Sequence, residues 1–289
     1  MKQKRIVPYL YLLPAVTLLV LFMYYPTVSN FFYSFLKWDL FKGTKKFVGL
    51  KNYIDLFKDE SFYTALGNNI KYVIISIFFQ VFVALIFAAR LEQMKRKGIS
   101  TFYRTVAFIP SLISLTVIGL LFSFVYKSDG LLNSFLSLFG TEVTKGWLGD
   151  SKTAIYAVIA VSQWKSIGYT MMLIIVAIQR ISKEQYEAAI IDGASQIQQF
   201  WYVTVPLIRD MLGISMVINI SGGFLVFNEI YVMTNGGPHG TSEVLSTIMY
   251  KNAFTHGKVG YASAISIVLM VVSIVFFIIQ RKLSKKEED

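Results

Sequence analysis

The chain has 289 residues, 55% of them hydrophobic and only 16% charged, with a mean hydropathy of +0.55, a balance that excludes an ordinary soluble domain and indicates a membrane protein. Its net charge of +11 would suit nucleic acid. The basic residues, however, fall mostly at the edges of apolar runs and form no stripe interleaved with exposed aromatics, so nucleic-acid binding is excluded as well.

Six apolar stretches, approximately 9–35, 69–89, 105–126, 154–178, 211–233 and 262–279, are long enough to cross a bilayer, which takes about 20 residues. Backbone groups in lipid must be paired internally, and no alternating pattern suggests a barrel, so the expected fold is all-α and integral to the membrane. Six transmembrane helices in one domain over 1–289 place both termini on one side. The first run follows Lys2, Lys4 and Arg5 and imitates a secretory signal. It ends in Met23, Tyr24, Tyr25 and Pro26, with no small-residue cleavage site, and is read as the first span.

Orientation follows from Lys and Arg beside the spans. Arg90, Lys95, Arg96, Lys97 and Arg104, with Arg281, Lys282, Lys285 and Lys286, argue for cytoplasmic termini. The loop between the first two spans points the other way, because Lys37, Lys42, Lys45, Lys46, Lys51 and Lys58 are only partly offset by Asp39, Asp55, Asp59 and Glu60. Charge alone therefore leaves the orientation open.

In the third span Pro110 should bend the helix, either to shape a cavity or as a kink accommodated by packing. Beyond it, Leu131, Leu132, Phe135, Leu136, Leu138 and Phe139 fit a short surface helix, a partner-docking site or a membrane-interface anchor. The fourth span carries Ser162, Gln163, Lys165, Ser166 and Tyr169. Lys165 is too deep to snorkel, so a partner carboxylate or a watered cavity is expected beside it. The fifth span offers Asn219, Ser221, Gly222, Gly223, Asn228 and Glu229, where the paired glycines either let helices approach or open room for a ligand.

Between these two spans, residues 180–207 form the one long polar interruption with two helix starts in succession. Ser182 with Gln185, and Ser195 with Gln198, both read as capping boxes. Gly193 can take the left-handed conformation that ends the first helix, and Pro206 should stop the second. Tyr186, Ala189 and Ile190 share a face on the first helix, as Ile197, Phe200, Trp201 and Thr204 do on the second. The pattern describes two short helices with a sharp elbow, although an amphipathic hairpin lying on lipid headgroups would also suit Phe200, Trp201 and Tyr202.

Glu187, Ala188 and Ala189, then Asp192, Gly193 and Ala194, and later Val205, Pro206 and Leu207 resemble the cytoplasmic EAA loop of binding-protein-dependent ABC importer permeases. Three further stretches are similar to the carbohydrate-uptake class of that family: Trp38 and Asp39 followed by the run 47–57, Trp147 to Asp150, and the Thr-Asn-Gly-Gly-Pro turn of 234–238. The resemblance implies a coupling loop over 182–205 docking on a separate ATPase, through Glu187, Ala188, Ala189, Asp192, Gly193 and Pro206. It makes that loop, and so both termini, cytoplasmic in a bacterial cell membrane. It also implies a second permease subunit, an ATPase dimer that binds ATP and magnesium, and an extracytoplasmic sugar-binding protein, with no cofactor in this chain. Carried outward from the loop, it places Ser162, Lys165, Ser166 and Tyr169, and Asn219, Gly222, Gly223 and Val226, along a midmembrane sugar site. Two positions where the family has asparagine carry serine and glycine here. Tyr169 with Trp164 would supply the aromatic platform.

The chain contains no G-x-x-x-x-G-K-[ST] sequence, so ATP hydrolysis is expected elsewhere. Zero cysteines exclude disulfides and thiolate metal sites, and His239 reads as a turn residue with no second ligand at metal-binding spacing. The alternatives are a permease for another polar solute such as glycerol phosphate, a secondary transporter working alone, and a membrane-embedded enzyme. The last two would require, respectively, internal repeats with buried carboxylates and a catalytic set within the spans. No repeat is evident, and neither histidine is intramembrane.

Overall fold

The computed structural model describes residues 7–140 and 144–285, so Lys2, Lys4, Arg5, Lys286 and the acidic tail Glu287, Glu288 and Asp289 lie outside the described residues. Among these residues, four helices are long and apolar enough to cross a membrane: Tyr9–Tyr33, Glu60–Gln93, Ala154–Ile178 and Val259–Lys282. Two bent pairs bring the number to six when each is counted as one span: Lys97–Leu112 with Leu115–Val125, turning by 97°, and Arg209–Phe224 with Gln196–Leu207, the second helix of the 180–207 interruption, turning by 71°. The fold is α-helical apart from one short hairpin and integral to the membrane, with the third and fifth spans broken.

The break in the third span lies just beyond Pro110. Pro110 itself lies inside the helix, and the turn before it, where its missing N–H and its ring act, stays helical. Ile113 and Ser114 are then out of the helix, with ψ of 140° and 133°. Loose carbonyls in lipid need internal partners. Ser111 Oγ donates to the Phe108 carbonyl at 2.6 Å, and the Ile113 N–H to that of Pro110 at 3.2 Å.

The fifth span ends its main helix at Phe224 and resumes as a short helix, Asn228–Met233, so the apolar run over 211–233 is not one helix. The sequence shows no proline there. The break is supported from another span: Asn69 Nδ2 donates to the carbonyls of Gly223 (2.7 Å) and Phe224 (3.2 Å), while its Oδ1 accepts from the Leu245 N–H at 2.9 Å. Gly223 is needed for this approach, since a Cβ there would meet Val73 Cγ2 at 2.6 Å.

The chain divides into two compact units, residues 1–62 with 248–270, and residues 63–247 with 271–289. In the first, strands β1 (Leu36–Asp39) and β2 (Thr44–Phe47) pair antiparallel, with Leu36 opposite Phe47. Asn52 Nδ2 donates to the carbonyls of Ser34 (2.7 Å) and Leu36 (2.9 Å), which ties the helix Lys51–Leu56 under the hairpin. The Lys45 ammonium lies 4.0 Å from the centre of the Trp38 ring. At the start of the sixth span, the Tyr261 hydroxyl donates to Asp59 Oδ2 at 2.8 Å.

In the second unit the fourth span joins two apolar clusters. Its first half, Ile155 to Val161, packs with Ile118, Tyr126, Val226 and Ile230; its last turns, Met171 to Ile178, pack with the second span from Val81 to Leu91 and with Ile208 and Leu212. Ser162 to Ser166 lie between the clusters. Gly168 permits the third span to cross at this level, because a Cβ there would sit 1.9 Å from the Ala107 carbonyl oxygen. The short helix Leu131–Ser137 forms where the sequence predicts a surface helix. Asn133 holds it, donating to the carbonyls of Lys127, Ser128 and Lys145 and accepting from Trp147 Nε1 at 2.8 Å. Leu131, Phe135, Leu138 and Phe139 remain exposed.

Candidate coupling loop and midmembrane polar band

The first short helix of the loop runs Lys183–Ile191. Ser182 stands at its N-cap in extended conformation, but its side chain makes no capping hydrogen bond, so the first capping box expected from the sequence does not form. Ser182 to Gln185 are all exposed, and water serves the free N–H groups there. The second box does form. Ser195 N–H donates to Gln198 Oε1 at 2.8 Å, and Ser195 Oγ accepts from the Gln198 N–H.

Gly193 has φ of +77°, and two hydrogen bonds close the helix end around it: Ala194 N–H to the Ala189 carbonyl (2.9 Å) and Gly193 N–H to that of Ile190 (3.0 Å). These are the paired bonds of a Schellman ending. The chain then turns back, and the Tyr186 hydroxyl comes within 2.9 Å of Thr204 Oγ1, joining the two faces that the sequence marks for burial. Glu187, Ala188, Asp192 and Gly193 point outward, and Ile191 is 85% exposed. An apolar side chain so exposed, set among carboxylates at the tip of an elbow, is suited to a protein partner.

Pro206 does not stop the second helix. A π turn over Phe200–Thr204 lets the Val205 N–H reach the Phe200 carbonyl, so the helix is already widened where the proline ring enters, and it continues to Leu207. The turn comes at Ile208, which is buried in the cluster at the foot of the fourth span. The loop is therefore packed directly against the spans it joins.

At the level between the two clusters, Ser162 is buried and bonded to the Tyr72 hydroxyl. Tyr72 also donates to Glu229 Oε1 at 3.1 Å, with Ser162 Oγ 3.4 Å from the same oxygen. Gln163 accepts from Gln80 Nε2 at 2.7 Å and donates to Ser76 Oγ at 3.1 Å. Lys165 is half-buried, and its ammonium lies 3.5 Å from the Ser111 carbonyl at the broken end of the third span. Beside Lys165, where a carboxylate or a watered cavity is expected, stands a helix-end carbonyl. A cation at a helix C-terminus is favoured by both the open carbonyls and the dipole.

Ser166 is half-buried and Tyr169 is 47% exposed. Trp164 does not join Tyr169 in a platform but rests against the Phe122 ring at 5.3 Å. On the fifth span the four candidate positions differ. Asn219 is buried and bonds its own helix at the Ser215 carbonyl, Gly223 serves the close approach to Val73, and Val226 belongs to an apolar cluster. Only Gly222 faces open space. Tyr72 and Gln80 were not singled out by the sequence, because each is an isolated polar residue in the second span whose partners lie on other spans.

Such a bundle, with an elbowed loop packed on its spans and a polar band at mid-depth, has the parts of a transport permease. The chain belongs to the family of binding-protein-dependent transport system inner membrane components, whose model matches residues 80–288. It is 50% identical to the probable ABC transporter permease protein YurN of Bacillus subtilis, over 99% of both chains. It is 32% identical to the arabinooligosaccharides transport system permease protein AraP of the same organism, over 97% of this chain and 89% of that one. Its fold matches a subunit in the crystal structure of a bacterial ABC transporter that imports the acidic polysaccharide alginate, with a TM-score of 0.84 at 24% identity, over 97% and 95% of the two chains. The chain is thus a multi-pass permease component of an ABC transport system.

Proposed function

We propose that this chain is one of two permease subunits of an ATP-driven importer for a sugar or oligosaccharide, delivered by a binding protein outside the cell. The observation that carries the reading is the elbow at Gly193, which presents Glu187, Ala188, Ile191 and Asp192 on a rigid projection braced by the Tyr186–Thr204 contact. A separate ATPase dimer, holding ATP and magnesium, docks there from the cytoplasm, where both termini also lie. Its closure moves the projection as a lever, and Ile208 passes the motion to the spans.

The sugar reading is supported by AraP, a relative over nearly the whole chain whose name gives arabinooligosaccharides as cargo. It is supported too by hydroxyl, amide and ring groups at mid-depth, which match a polyol better than an apolar solute. Lys165, Ser166 and Tyr169, with Gly222, are the accessible members of the path; Ser162, Asn219, Gly223 and Val226 set their positions from within the bundle. A phosphorylated solute is the second reading, favoured by Lys165 and opposed by the Glu229 carboxylate, which is held by Tyr72 and Ser162 in the same band.

The test is uptake of labelled oligosaccharides by proteoliposomes containing this chain, its partner permease, the ATPase and the binding protein. ATP-dependent accumulation of a neutral sugar supports the reading. Accumulation of only phosphorylated or apolar solutes refutes it.

A further inference from the structure

The second half of the coupling loop borders a cavity of about 500 Å³ that transport, as described above, does not use. Its lining is mostly apolar, from Ile86 and Ala89 of the second span and Ile197, Phe200 and Trp201 of the loop, with Arg90, Gln93, Ser195 and Gln196 as its polar members. We propose that it holds the head and first acyl carbons of an anionic phospholipid, drawn from the leaflet on the side of the coupling loop.

Charge selects the occupant. Arg90 is the sole charged residue lining the cavity; it is exposed and makes no hydrogen bond or ion pair with any described residue. The nearest acid in sequence, Glu92, is already taken, accepting from Arg104 Nη2 and from Gln179 Nε2. A guanidinium left open beside an apolar wall suits a phosphate, which it can bind through two parallel hydrogen bonds, with Gln93 able to donate a third.

Position points to the same ligand. Phe82, Ile86 and Phe87 are each about half exposed on the second span, so the cavity opens onto an apolar surface of the kind that meets lipid. Trp201 and Tyr202 are exposed beside it, as amphipathic rings are at the level of the headgroups. Lys95, Arg96 and Lys97 follow Gln93 and raise the local concentration of anionic lipid. The outward face offered to the ATPase lies on the other short helix, around Glu187 and Asp192. A lipid seated here would wedge the second span against the loop and make coupling sensitive to membrane composition.

The test uses the complete transporter in nanodiscs of phosphatidylcholine with phosphatidylglycerol, followed by native mass spectrometry of the lipids retained. The wild-type complex should keep phosphatidylglycerol over phosphatidylcholine at this chain, with the preference reduced about tenfold in Arg90→Gln and largely kept in Arg90→Lys. A photoreactive benzophenone residue in place of Ile197 should give an adduct of phospholipid mass, which tests the site even if Arg90→Gln fails to assemble. Equal retention of the two lipids by the wild type, or an unchanged preference in Arg90→Gln, overturns the proposal. A cross-link to the ATPase or the partner permease with no lipid adduct also overturns it and assigns the cavity to protein.

Discussion

The hydroxyls of Tyr186 and Thr204 lie 2.9 Å apart across the elbow, with Thr204 almost fully buried and Tyr186 half-buried. This bond fixes the angle between the two short helices. It also joins the helix Lys183–Ile191, where we propose that the ATPase docks, to the one that continues into the fifth span. Tyr186→Phe should lower local stability by about 1 kcal/mol and weaken the stimulation of ATPase activity by binding protein, with basal activity kept. Thr204→Val should do the same, and the double variant no more than either alone. Additive losses in that cycle would show that the two hydroxyls act independently.

Gly193 presents a different kind of constraint. A Cβ at this position would meet nothing within 4 Å, so the cost of a side chain is entirely in the backbone, which must hold φ of +77°. Gly193→Val should cost roughly 1 kcal/mol or more, while Gly193→Asn should cost less. Membrane insertion should survive in both, and co-purification with the ATPase should fall in the order Gly, Asn, Val. Equal recovery of ATPase with all three would remove the elbow from the docking surface.

The opposite charges of Lys165 and Glu229 in the polar band predict compensation. Lys165→Met leaves the Ser111 carbonyl without its cation and takes a positive charge from a band that holds the Glu229 carboxylate, and uptake should fall while expression holds. Glu229→Gln keeps acceptor and donor groups for Tyr72 and Ser162. The double variant should therefore recover part of what Lys165→Met loses. Uptake in the double variant below that of both single ones would mean that Lys165 serves the solute rather than Glu229.

Tyr169 tests the proposed substrate face directly. It shares a helical face with Lys165 and Ser166 and is 47% exposed. Tyr169→Ala should reduce uptake more than Tyr169→Phe, because the ring offers apolar contact as well as its hydroxyl. ATPase activity without substrate should persist in both. If the two variants transport like the wild type, the face is turned to packing or lipid.

In the loop between the first two spans, Asp59 gives a pH dependence. Partial burial acts to raise its pKa, but hydrogen bonds from the Ser61 and Tyr261 hydroxyls and the Ser61 N–H, with the charge of Lys258, outweigh it, so the carboxyl lies below its ordinary value. A lowered folded pKa contributes stability above the unfolded value of about 3.9 and loses it as pH falls through the folded one. The contact between the loop joining the first two spans and the start of the sixth should therefore loosen in acid. Hydrogen-exchange protection factors over residues 51–62, corrected for the intrinsic pH dependence of exchange, should fall on acidification in the wild type. Asp59→Asn should flatten that fall.

The spans were legible because each is a predominantly apolar run long enough to cross a bilayer, and the elbow was legible because Gly193 admits a conformation that other residues resist. The break at Leu225 to Phe227 was not: the residues there are apolar, and the support comes from Asn69, which no local pattern connects to them. The π turn at Phe200–Thr204 likewise has no signature of its own, so Pro206 read as a stop. The hairpin of β1 and β2 escaped notice because its strands are short and lysine-rich. For the polar band, the sequence supplied the fourth-span side of Ser162, Gln163 and Lys165. Their partners Tyr72, Gln80 and Ser111 appear only once the spans are packed together.

Whether transport is driven through the elbow is the central question. The deciding measurement is accumulation of labelled oligosaccharide in proteoliposomes carrying the complete transporter, with and without ATP on the ATPase side, for the wild type and Gly193→Val. The expected result is accumulation that requires ATP and binding protein and is lost in Gly193→Val although the spans insert. Accumulation by this chain alone, without ATP or ATPase, or undiminished ATP-driven uptake in Gly193→Val, would contradict it.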